Sequence, residues 1–200
     1  MEPIVFVVDD DAAARASVEN LLHSVGLHVR TFDSATTFLE QGAPNAPSCL
    51  VLDVRLPRMS GIELQRELAL RGISIPIIFI TGHGDIPMSV EAMKAGAMEF
   101  LVKPFRGQVL LDAIHKAIER DRSGREEQAR VAELRERFAS LTPREREVMN
   151  GVIAGKLNKE IAAELGAAER TIKVHRANVM RKVGAESLAD LVRMSEKALT

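Results

Sequence analysis

Apolar residues in the first part of the chain alternate between continuous runs and helical spacing. Residues 4–8 form one apolar run, and after the acids at 9–11 the apolar residues recur every three or four positions. A continuous run is typical of a strand covered on both faces, and the spacing that follows is typical of an amphipathic helix. This unit repeats. We predict strands over 4–8, 28–32, 50–53, 75–80 and 98–102, and helices over 12–24, 34–40, 61–70, 86–95 and 108–120.

Strands that alternate with helices, through connections too long for hairpins, indicate parallel crossovers. The first 122 residues are therefore predicted to form an α/β domain. We expect a flavodoxin-like five-stranded parallel sheet with the strand order 2-1-3-4-5. In such sheets ligands lie outside the carboxyl ends of the strands, where the strand order reverses.

The pattern changes after residue 140, where four helix signals replace the strands. Thr142 precedes a proline and Glu145 completes a capping box, so the first helix is predicted to begin there. A short helix from Asn158, a third helix over 169–183 and a fourth capped by Ser187 follow. Two short helices joined by a glycine-bearing turn, the second of them basic, predict an all-α helix-turn-helix domain over 138–200.

The segment between the two patterns is mostly charged residues and alanine. Residues 123–137 have few apolar positions, and Ser123-Gly124 is their strongest break. Such a composition favours a solvated helix or a flexible tether and makes a coiled-coil stem a poor prediction. We expect residues 123–137 to link the two domains.

Composition limits the surroundings and partners of the protein. The 200 residues carry a net charge of −1, which divides into −4 over residues 1–124 and +3 over residues 125–200, so the two halves are expected to have different partners. The single cysteine, Cys49, lies in an apolar run, and no apolar stretch reaches the ~20 residues of a membrane span. These features, with acids where a signal peptide would be basic, predict a cytoplasmic protein without membrane association.

Acidic residues gather where strands one and three end. Asp9, Asp10 and Asp11 follow the first strand, and Asp53 ends the third. Alone, Asp53 is more simply a turn or cap residue. In the predicted strand order these strands are neighbours, and carboxylates crowded into one crevice favour a hard cation, so we predict a Mg²⁺ (or Mn²⁺) site. Asp11, directly before the helix, is better explained as its N-cap.

Two more strand ends add a hydroxyl and an ammonium group. Thr81 ends the fourth strand, and Lys103 follows the fifth. Metal and lysine neutralise phosphoryl oxygens, and a hydroxyl donates a hydrogen bond to one of them. The set is therefore suited to phosphoryl chemistry, with Asp53 as the nucleophile that becomes an aspartyl phosphate.

These residues lie in motifs that resemble the receiver domain of two-component response regulators. The resemblance covers residues 1 to about 122 and implies that Asp53 is the phosphoacceptor and that Asp9, Asp10 and the backbone carbonyl of Arg55 help to hold magnesium. The motifs are VVDDD at 7–11, LDVRLP at 52–57 followed by Ser60-Gly61, ITGHGD at 80–85 and KPF at 103–105.

The same resemblance implies a switch. Lys103 would bind the phosphoryl oxygens, Thr81 would move toward the phosphate, and Phe100 would turn inward. Phe100 stands where many receivers have tyrosine, so a partner contact that needs a hydroxyl there is not expected.

The third helix of the second domain has one apolar and one basic face. At 100° per residue, Ile172, His175, Val179 and Val183 share an arc and are predicted to be core, with Asn178 at the margin of the opposite arc. Basic and small apolar side chains on one face suit the DNA major groove; a solvated basic surface is the simpler alternative. We predict DNA contacts from Arg170, Lys173, Val174, Ala177 and Arg181, with Asn158 and Lys159 on the preceding helix.

This domain resembles the LuxR-type DNA-binding domain through LTPRE at 141–145, NKEIA at 158–162 and TIKVH at 171–175. The whole chain thus resembles a FixJ-type response regulator of the NarL/FixJ class. Ala168 replaces a frequent capping serine, which we expect to cost the third helix ~1 kcal/mol. Ala177 offers no side-chain hydrogen bond, so the operator should differ from that of relatives with lysine there.

The resemblance implies a transcriptional regulator that receives phosphoryl from a sensor histidine kinase, forms a homodimer and binds double-stranded promoter DNA. RNA polymerase is a further expected partner, and no catalysis is expected beyond the protein's own phosphorylation and dephosphorylation. Three alternatives remain. A phosphatase or dehalogenase would usually need a second acid where Arg55 stands, a phosphate-storing intermediary would need no basic helix, and an RNA-binding protein would need more aromatic residues.

Overall fold

The computed structural model describes residues 2–42, 46–82 and 86–199. Its elements alternate strand and helix up to β5 and are helical thereafter. The strands are β1 (Ile4–Val8), β2 (His28–Phe32), β3 (Ser48–Asp53), β4 (Ile77–Thr81) and β5 (Glu99–Val102). The helices are α1 (Ala12–Ser24), α2 (Ala35–Gln41), α3 (Gly61–Leu70), α4 (Ile86–Lys94), α5 (Gly107–Ala139), α6 (Pro143–Ile153), α7 (Asn158–Glu164), α8 (Glu169–Val183) and α9 (Leu188–Leu199).

The strands form one parallel sheet in the order β2-β1-β3-β4-β5, which confirms the predicted topology. In register, Val8 of β1 lies beside Leu52 of β3, and Thr81 of β4 lies beside Val102 of β5. The carboxyl ends of β1, β3, β4 and β5 are thus at the same edge of the sheet, where the residues that follow them meet.

The sheet is buried because apolar side chains cover both of its faces. Alternate residues of β3 enter two different cores: Leu50 and Leu52 pack with Phe6 and Phe79 on one face, and Cys49 and Val51 pack on the other. Every residue of β3 and β4 is buried. This explains the continuous apolar runs, since a strand that is covered on both faces has no solvent side for polar residues.

The loop after β3 is held close to the strand by Ser60 and Gly61. Ser60 and Glu63 form a capping box at the start of α3, and the Gly61 backbone N–H donates a hydrogen bond to the Val54 carbonyl (2.9 Å). A Cβ atom at residue 61 would lie 2.3 Å from the carbonyl oxygen of Asp53. Only glycine therefore allows α3 to begin this close to the end of β3.

Helix α5 is much longer than the sequence predicted. It passes through Ser123-Gly124 and ends at Ala139, so the predicted end at Arg120 was wrong. Ion pairs four residues apart, such as Asp121–Arg125 (2.7 Å) and Glu133–Arg137 (2.7 Å), support the helix where apolar positions are sparse. The predicted linker 123–137 thus lies within a helix, and the chain divides inside it into an N-terminal unit, Met1–Arg125, and a C-terminal unit, Glu126–Thr200.

The C-terminal unit is helical and has its own apolar core. Leu134 and Phe138, near the end of α5, pack in this core with residues of the later helices. Thr142 and Glu145 form the predicted capping box of α6, and Ser187 Oγ accepts from the Asp190 backbone N–H at the start of α9. In the described part of the chain, no helix is long and apolar enough to cross a membrane.

Candidate functional sites

Three carboxylates converge at the carboxyl edge of the sheet. Asp9 and Asp10 follow β1, Asp53 ends β3, and one carboxylate oxygen from each lies within 4.8 Å of the others. Asp9 and Asp53 are buried, with residue exposures of 0% and 7%, whereas Asp10 is exposed. We call these three carboxylates, together with Lys103, the acidic crevice.

Lys103 joins the two buried acids of the crevice. Its Nζ donates hydrogen bonds to Asp9 Oδ2 (2.6 Å) and Asp53 Oδ2 (2.9 Å). Its backbone N–H donates to the Thr81 carbonyl (2.8 Å), which holds the residue at the ends of β4 and β5. Lys103 is thus the cation that offsets part of the negative charge, and it bridges groups that are far apart in sequence.

The ammonium group of Lys103 stays charged in this position. Partial burial opposes the charge, but the hydrogen bonds from Nζ to Asp9 and Asp53, and the negative charges of these residues, outweigh burial and raise the pKa of Lys103 above its usual value. A lysine that binds two carboxylates in this way is a permanent positive charge at neutral pH.

Backbone groups hold the remaining oxygens of the buried acids. Asp9 Oδ1 accepts from the Asp11 backbone N–H (2.9 Å), and Asp53 Oδ1 accepts from the Arg55 backbone N–H (2.9 Å). The Asp11 side chain accepts from the backbone N–H groups of residues 13 and 14, which confirms its role as the N-cap of α1. Those two bonds lower the pKa of Asp11, and the side chain of Arg55 is exposed.

Arg15 is a residue at this site that the sequence reasoning missed. Its Nη1 donates a hydrogen bond to the Asp9 backbone carbonyl (2.6 Å). The available signal was its position on α1, one turn after the N-cap, where a long side chain reaches back toward the preceding turn. Arg15 therefore holds the backbone of Asp9 while Lys103 holds its carboxylate.

The donor set of the crevice suits a hard divalent cation. Mg²⁺ prefers carboxylate and carbonyl oxygens and is commonly held by one or two carboxylates with water in the other positions. Asp9, Asp10 and Asp53 supply such oxygens at mutual distances that one ion can span. The crevice also holds more negative charge than the single ammonium group of Lys103 can balance, so the residues present fit the predicted magnesium.

Thr81 and Phe100, the two residues of the predicted switch, lie on the neighbouring strands β4 and β5. Thr81 is the fully buried last residue of β4. Phe100 on β5 is half-buried and lies beside Phe79, with 6.3 Å between the ring centroids. Residues 83–85 of the ITGHGD motif lie outside the described residues.

The second candidate site is the solvent face of α8. Ile172, Val179 and Val183 are buried on the opposite face, whereas His175 is half-buried, and its enclosed Nδ1 has no hydrogen-bond partner among the residues that the structure describes. The five predicted DNA-contacting residues of this helix are all exposed. We call them the basic face of α8: Arg170, Lys173, Val174, Ala177 and Arg181.

Helices α7 and α8 meet near the remaining two predicted residues. Asn158 Oδ1 accepts a hydrogen bond from Arg176 Nη1 (3.3 Å), so the side chain of Asn158 joins the two helices. Lys159, the next residue, is exposed. Neither helix has a side-chain cap, because Leu157 and Ala168 occupy the N-cap positions. At α7, Glu160 accepts from the Leu157 backbone N–H (2.7 Å), which is half of a capping box.

Models of two protein families match the chain, one in each unit. The response regulator receiver domain matches residues 5–115, and the bacterial regulatory proteins of the luxR family match residues 139–195. The first match contains the whole acidic crevice, and the second contains the basic face of α8.

Known proteins resemble the chain over almost its whole length. Nodulation protein W of Bradyrhizobium diazoefficiens is 59% identical over 96% of this chain and 85% of its own length. The transcriptional regulatory protein FixJ of the same species is 46% identical over 97% of this chain and 95% of its own length. The solved structure of the response regulator StyR has a TM-score of 0.89 and 53% identity, and it covers 98% of this chain and 100% of that one. The chain therefore belongs to the FixJ-type response regulators of two-component systems, with a receiver domain and a LuxR-type DNA-binding domain.

Proposed function

We propose that Asp53 is the residue that receives a phosphoryl group from a sensor histidine kinase. The observation that carries this proposal is the bridge of Lys103 Nζ between Asp9 and Asp53, which places a cation beside a carboxylate at an accessible strand end. One Asp53 oxygen forms a bond to phosphorus as the bond from phosphorus to the donor imidazole nitrogen breaks. The product is an aspartyl phosphate, whose phosphoryl group carries about two negative charges where the carboxylate carried one.

Magnesium, or manganese in its place, is the proposed cofactor. Asp9, Asp10, Asp53 and the backbone carbonyl of Arg55 would hold it. When bound, the ion neutralises the phosphoryl oxygens and orients them for in-line transfer. Asp9 accepts one hydrogen bond at each of its oxygens, and each oxygen has a further lone pair that would remain for the ion. Lys103 Nζ, which lies 2.9 Å from Asp53 Oδ2, would bind a phosphoryl oxygen.

Thr81 and Phe100 are proposed to pass the change in charge to the surface. The Thr81 hydroxyl would donate to a phosphoryl oxygen, and Phe100 would fill the space that this movement leaves beside β4. Because Phe100 is only half-buried, an inward turn would bury more of its ring. The region around α4, β5 and α5 would then be remade, which is the proposed surface for homodimer formation.

Binding of double-stranded promoter DNA is assigned to the basic face of α8. Dimerisation would place two such helices about one DNA turn apart and raise affinity through effective concentration, without new contacts in each subunit. RNA polymerase is the further proposed partner of the bound dimer. The luxR family match supports this reading over an intermediary that only stores phosphate.

The test of the proposal is labelling of the full chain by a small phosphodonor with magnesium. Asp53→Asn keeps the size of the side chain but removes the nucleophile, and we expect labelling to fall by at least a hundredfold. Asp33→Asn, in the exposed loop after β2, is the matched control and should be labelled as the unchanged chain is. Undiminished labelling of the Asp53 variant would overturn the assignment.

The same samples test the coupling to DNA. Sizing and promoter binding before and after phosphorylation should give a shift from monomer to dimer together with tighter binding. Tighter binding by a strict monomer would instead show that dimerisation is not the route to activation. The Asp53→Asn protein should remain at the weak, basal level of binding in both conditions.

A further inference from the structure

The C-terminal unit contains a cavity that is separate from the basic face of α8. It has a volume of about 220 Å³ and lies between the ends of α5 and α9 and the middle of α6. We propose that this cavity is a docking site for a partner protein, which inserts one large apolar side chain flanked by acidic residues. The residues that carry the proposal are Arg135, Phe138, Ala139, Arg146, Met149 and Ala198.

The floor of the cavity is apolar. Phe138 and Met149 belong to the core of the C-terminal unit, and Ala139 and Ala198 contribute only methyl groups. Asn150, which is exposed, also lines the cavity and offers an amide group. The apolar residues of the floor stabilise an apolar group through burial, by about 1.5–3 kcal/mol for one large side chain. The cavity therefore favours an apolar anchor.

The rim of the cavity is cationic. Arg135 Nε donates to the Ala198 carbonyl (3.0 Å), and Arg146 Nη2 lies 3.5 Å from the Phe138 carbonyl. Each guanidinium has five N–H donors, so most of them remain for a partner. Among residues 2–42, 46–82 and 86–199, no carboxylate forms an ion pair with either arginine.

Arg135 lies on α5 and Arg146 in the first half of α6, but their guanidinium groups contact carbonyls near the C-terminal ends of α9 and α5. Each of these two helix ends contributes about half a negative charge. Two full positive charges exceed the two half-charges by about one unit. The rim is therefore positive overall, and its backbone hydrogen bonds hold the guanidinium groups in place before a partner arrives. Binding of a carboxylate there costs less side-chain conformational entropy than binding to freely rotating arginines would.

The size of the cavity decides which kind of partner fits. Sites for drug-sized ligands have volumes of roughly 300–1,000 Å³, and this cavity is smaller. It fits one phenylalanine, leucine or methionine side chain, which is how protein partners commonly anchor at an interface. DNA phosphates would use the arginines but would leave the apolar floor empty, so the floor favours a protein over nucleic acid.

The experiment measures binding of a fluorescein-labelled peptide to the full chain by fluorescence anisotropy. The peptide has a central phenylalanine, two acidic residues on each side and glycine at both ends. We expect saturable binding, at least fivefold weaker when alanine replaces the phenylalanine and absent when lysines replace the acids. No binding of the original peptide, or equal binding of all three, would overturn the proposal.

Two variants of the protein locate the binding. Arg135→Gln combined with Arg146→Gln removes the cationic rim, and Ala139→Phe fills the cavity while keeping both arginines. Each should weaken peptide binding at least tenfold. Arg130→Gln, an exposed position of α5 outside the cavity, is the control and should stay within twofold. Peptide binding that survives both changes overturns the site, and a loss of DNA affinity with unchanged peptide binding reassigns the arginines to phosphate contacts and overturns it too.

Discussion

The acidic crevice and the basic face of α8 differ in how tightly the protein itself holds their charged groups. In the crevice, both oxygens of Asp9 and both oxygens of Asp53 accept hydrogen bonds, and the two residues are buried. On α8, Lys173 makes one exposed ion pair with Glu169 (3.5 Å), and Arg181 donates to Asn178 (3.1 Å). The crevice is organised before its ligand binds, whereas the basic face becomes organised with its ligand.

The difference fits the function proposed for each site. A phosphoryl group reacts in one geometry, and preorganised charges stabilise that geometry without rearrangement. DNA is read by long side chains that adapt to base edges, and much of the affinity comes from release of counterions. Substitutions in the crevice should therefore change the stability of the fold, and substitutions on α8 should change only binding.

The largest expected effect of this kind comes from Lys103→Met. The variant leaves Asp9 and Asp53 buried without their cation, and breaking a buried pair costs about 3 kcal/mol. We expect the free energy of unfolding of the N-terminal unit to fall by about that amount without divalent ions, and by less in millimolar magnesium. Urea denaturation in both conditions measures the difference.

The control for this prediction is Lys94→Met, at the exposed end of α4. It should change the free energy of unfolding by less than about 0.5 kcal/mol in either condition. If Lys103→Met proved equally mild, the ion pairs would contribute nothing to stability, and the contrast between the two sites would disappear.

The next effect is smaller and concerns binding alone. Arg170→Ala and Lys173→Ala each remove an exposed cation from α8, and we expect each to weaken binding to the operator by about 1–3 kcal/mol if the residue contacts a base. A residue that contacts phosphate should instead reduce the slope of binding against salt by about one. Titrations at several salt concentrations separate the two outcomes.

The free energy of unfolding of the same α8 variants, measured by thermal denaturation, should be unchanged within about 0.5 kcal/mol. Exposed ion pairs such as Lys173–Glu169 contribute little to stability, so their loss has no folding cost. A marked drop in the melting temperature of the C-terminal unit would mean that the basic face is a structural feature.

The third expected effect is an increase in stability. Leu157→Ser and Ala168→Ser would supply the missing N-caps of α7 and α8, where the backbone is already extended as a capping residue requires. We expect each to raise the free energy of unfolding of the C-terminal unit by about 1 kcal/mol. Thr142→Ala, which removes a cap that is present, should lower it by a similar amount and serves as the comparison in calorimetry.

The last effect is a dependence of stability on pH that appears only in acid. The hydrogen bond from Lys182 and the capping bond with Thr142 lower the pKa of Glu145 from 4.5 to about 2. Because the pKa is lower in the folded state, the stabilisation is complete above pH 4.5 and is lost as the pH falls from 4.5 toward 2. Glu145→Gln should therefore make the unfolding of the C-terminal unit less dependent on pH in this range, as followed by circular dichroism.

Sequence reasoning succeeded where local sequence signals mark the ends of an element and where strand order places the residues of the site. The bounds of α1, α3 and α8 match the structure because cap residues mark the starts of α1 and α3 and a glycine follows closely after the end of each helix. The convergence of the carboxylates could be predicted because strand order brings the end of β1 beside the end of β3. The proximity of these carboxylates, which are far apart in sequence, thus followed from the order of the strands.

The missed features depend on contacts that no local pattern reveals. The end of α5 was misjudged because Ser123-Gly124 is a weak break, and the buried positions of Leu134 and Phe138 depend on helices farther along the chain. The role of Arg15 depends on the backbone of Asp9, which a sequence does not display. The roles assigned to Arg55, Thr81 and Phe100 stay predictions, since they concern a phosphorylated state.

Gly61 restricts which substitutions the end of β3 can accept. Any side chain there would press against the carbonyl of the proposed nucleophile's own residue, 2.3 Å from the new carbon atom. The neighbouring loop residue Arg55 has an exposed side chain, so a different side chain there would not meet this restriction. The position of Asp53 itself is fixed by this packing, because glycine, the smallest residue, already fills the space beside the Asp53 carbonyl.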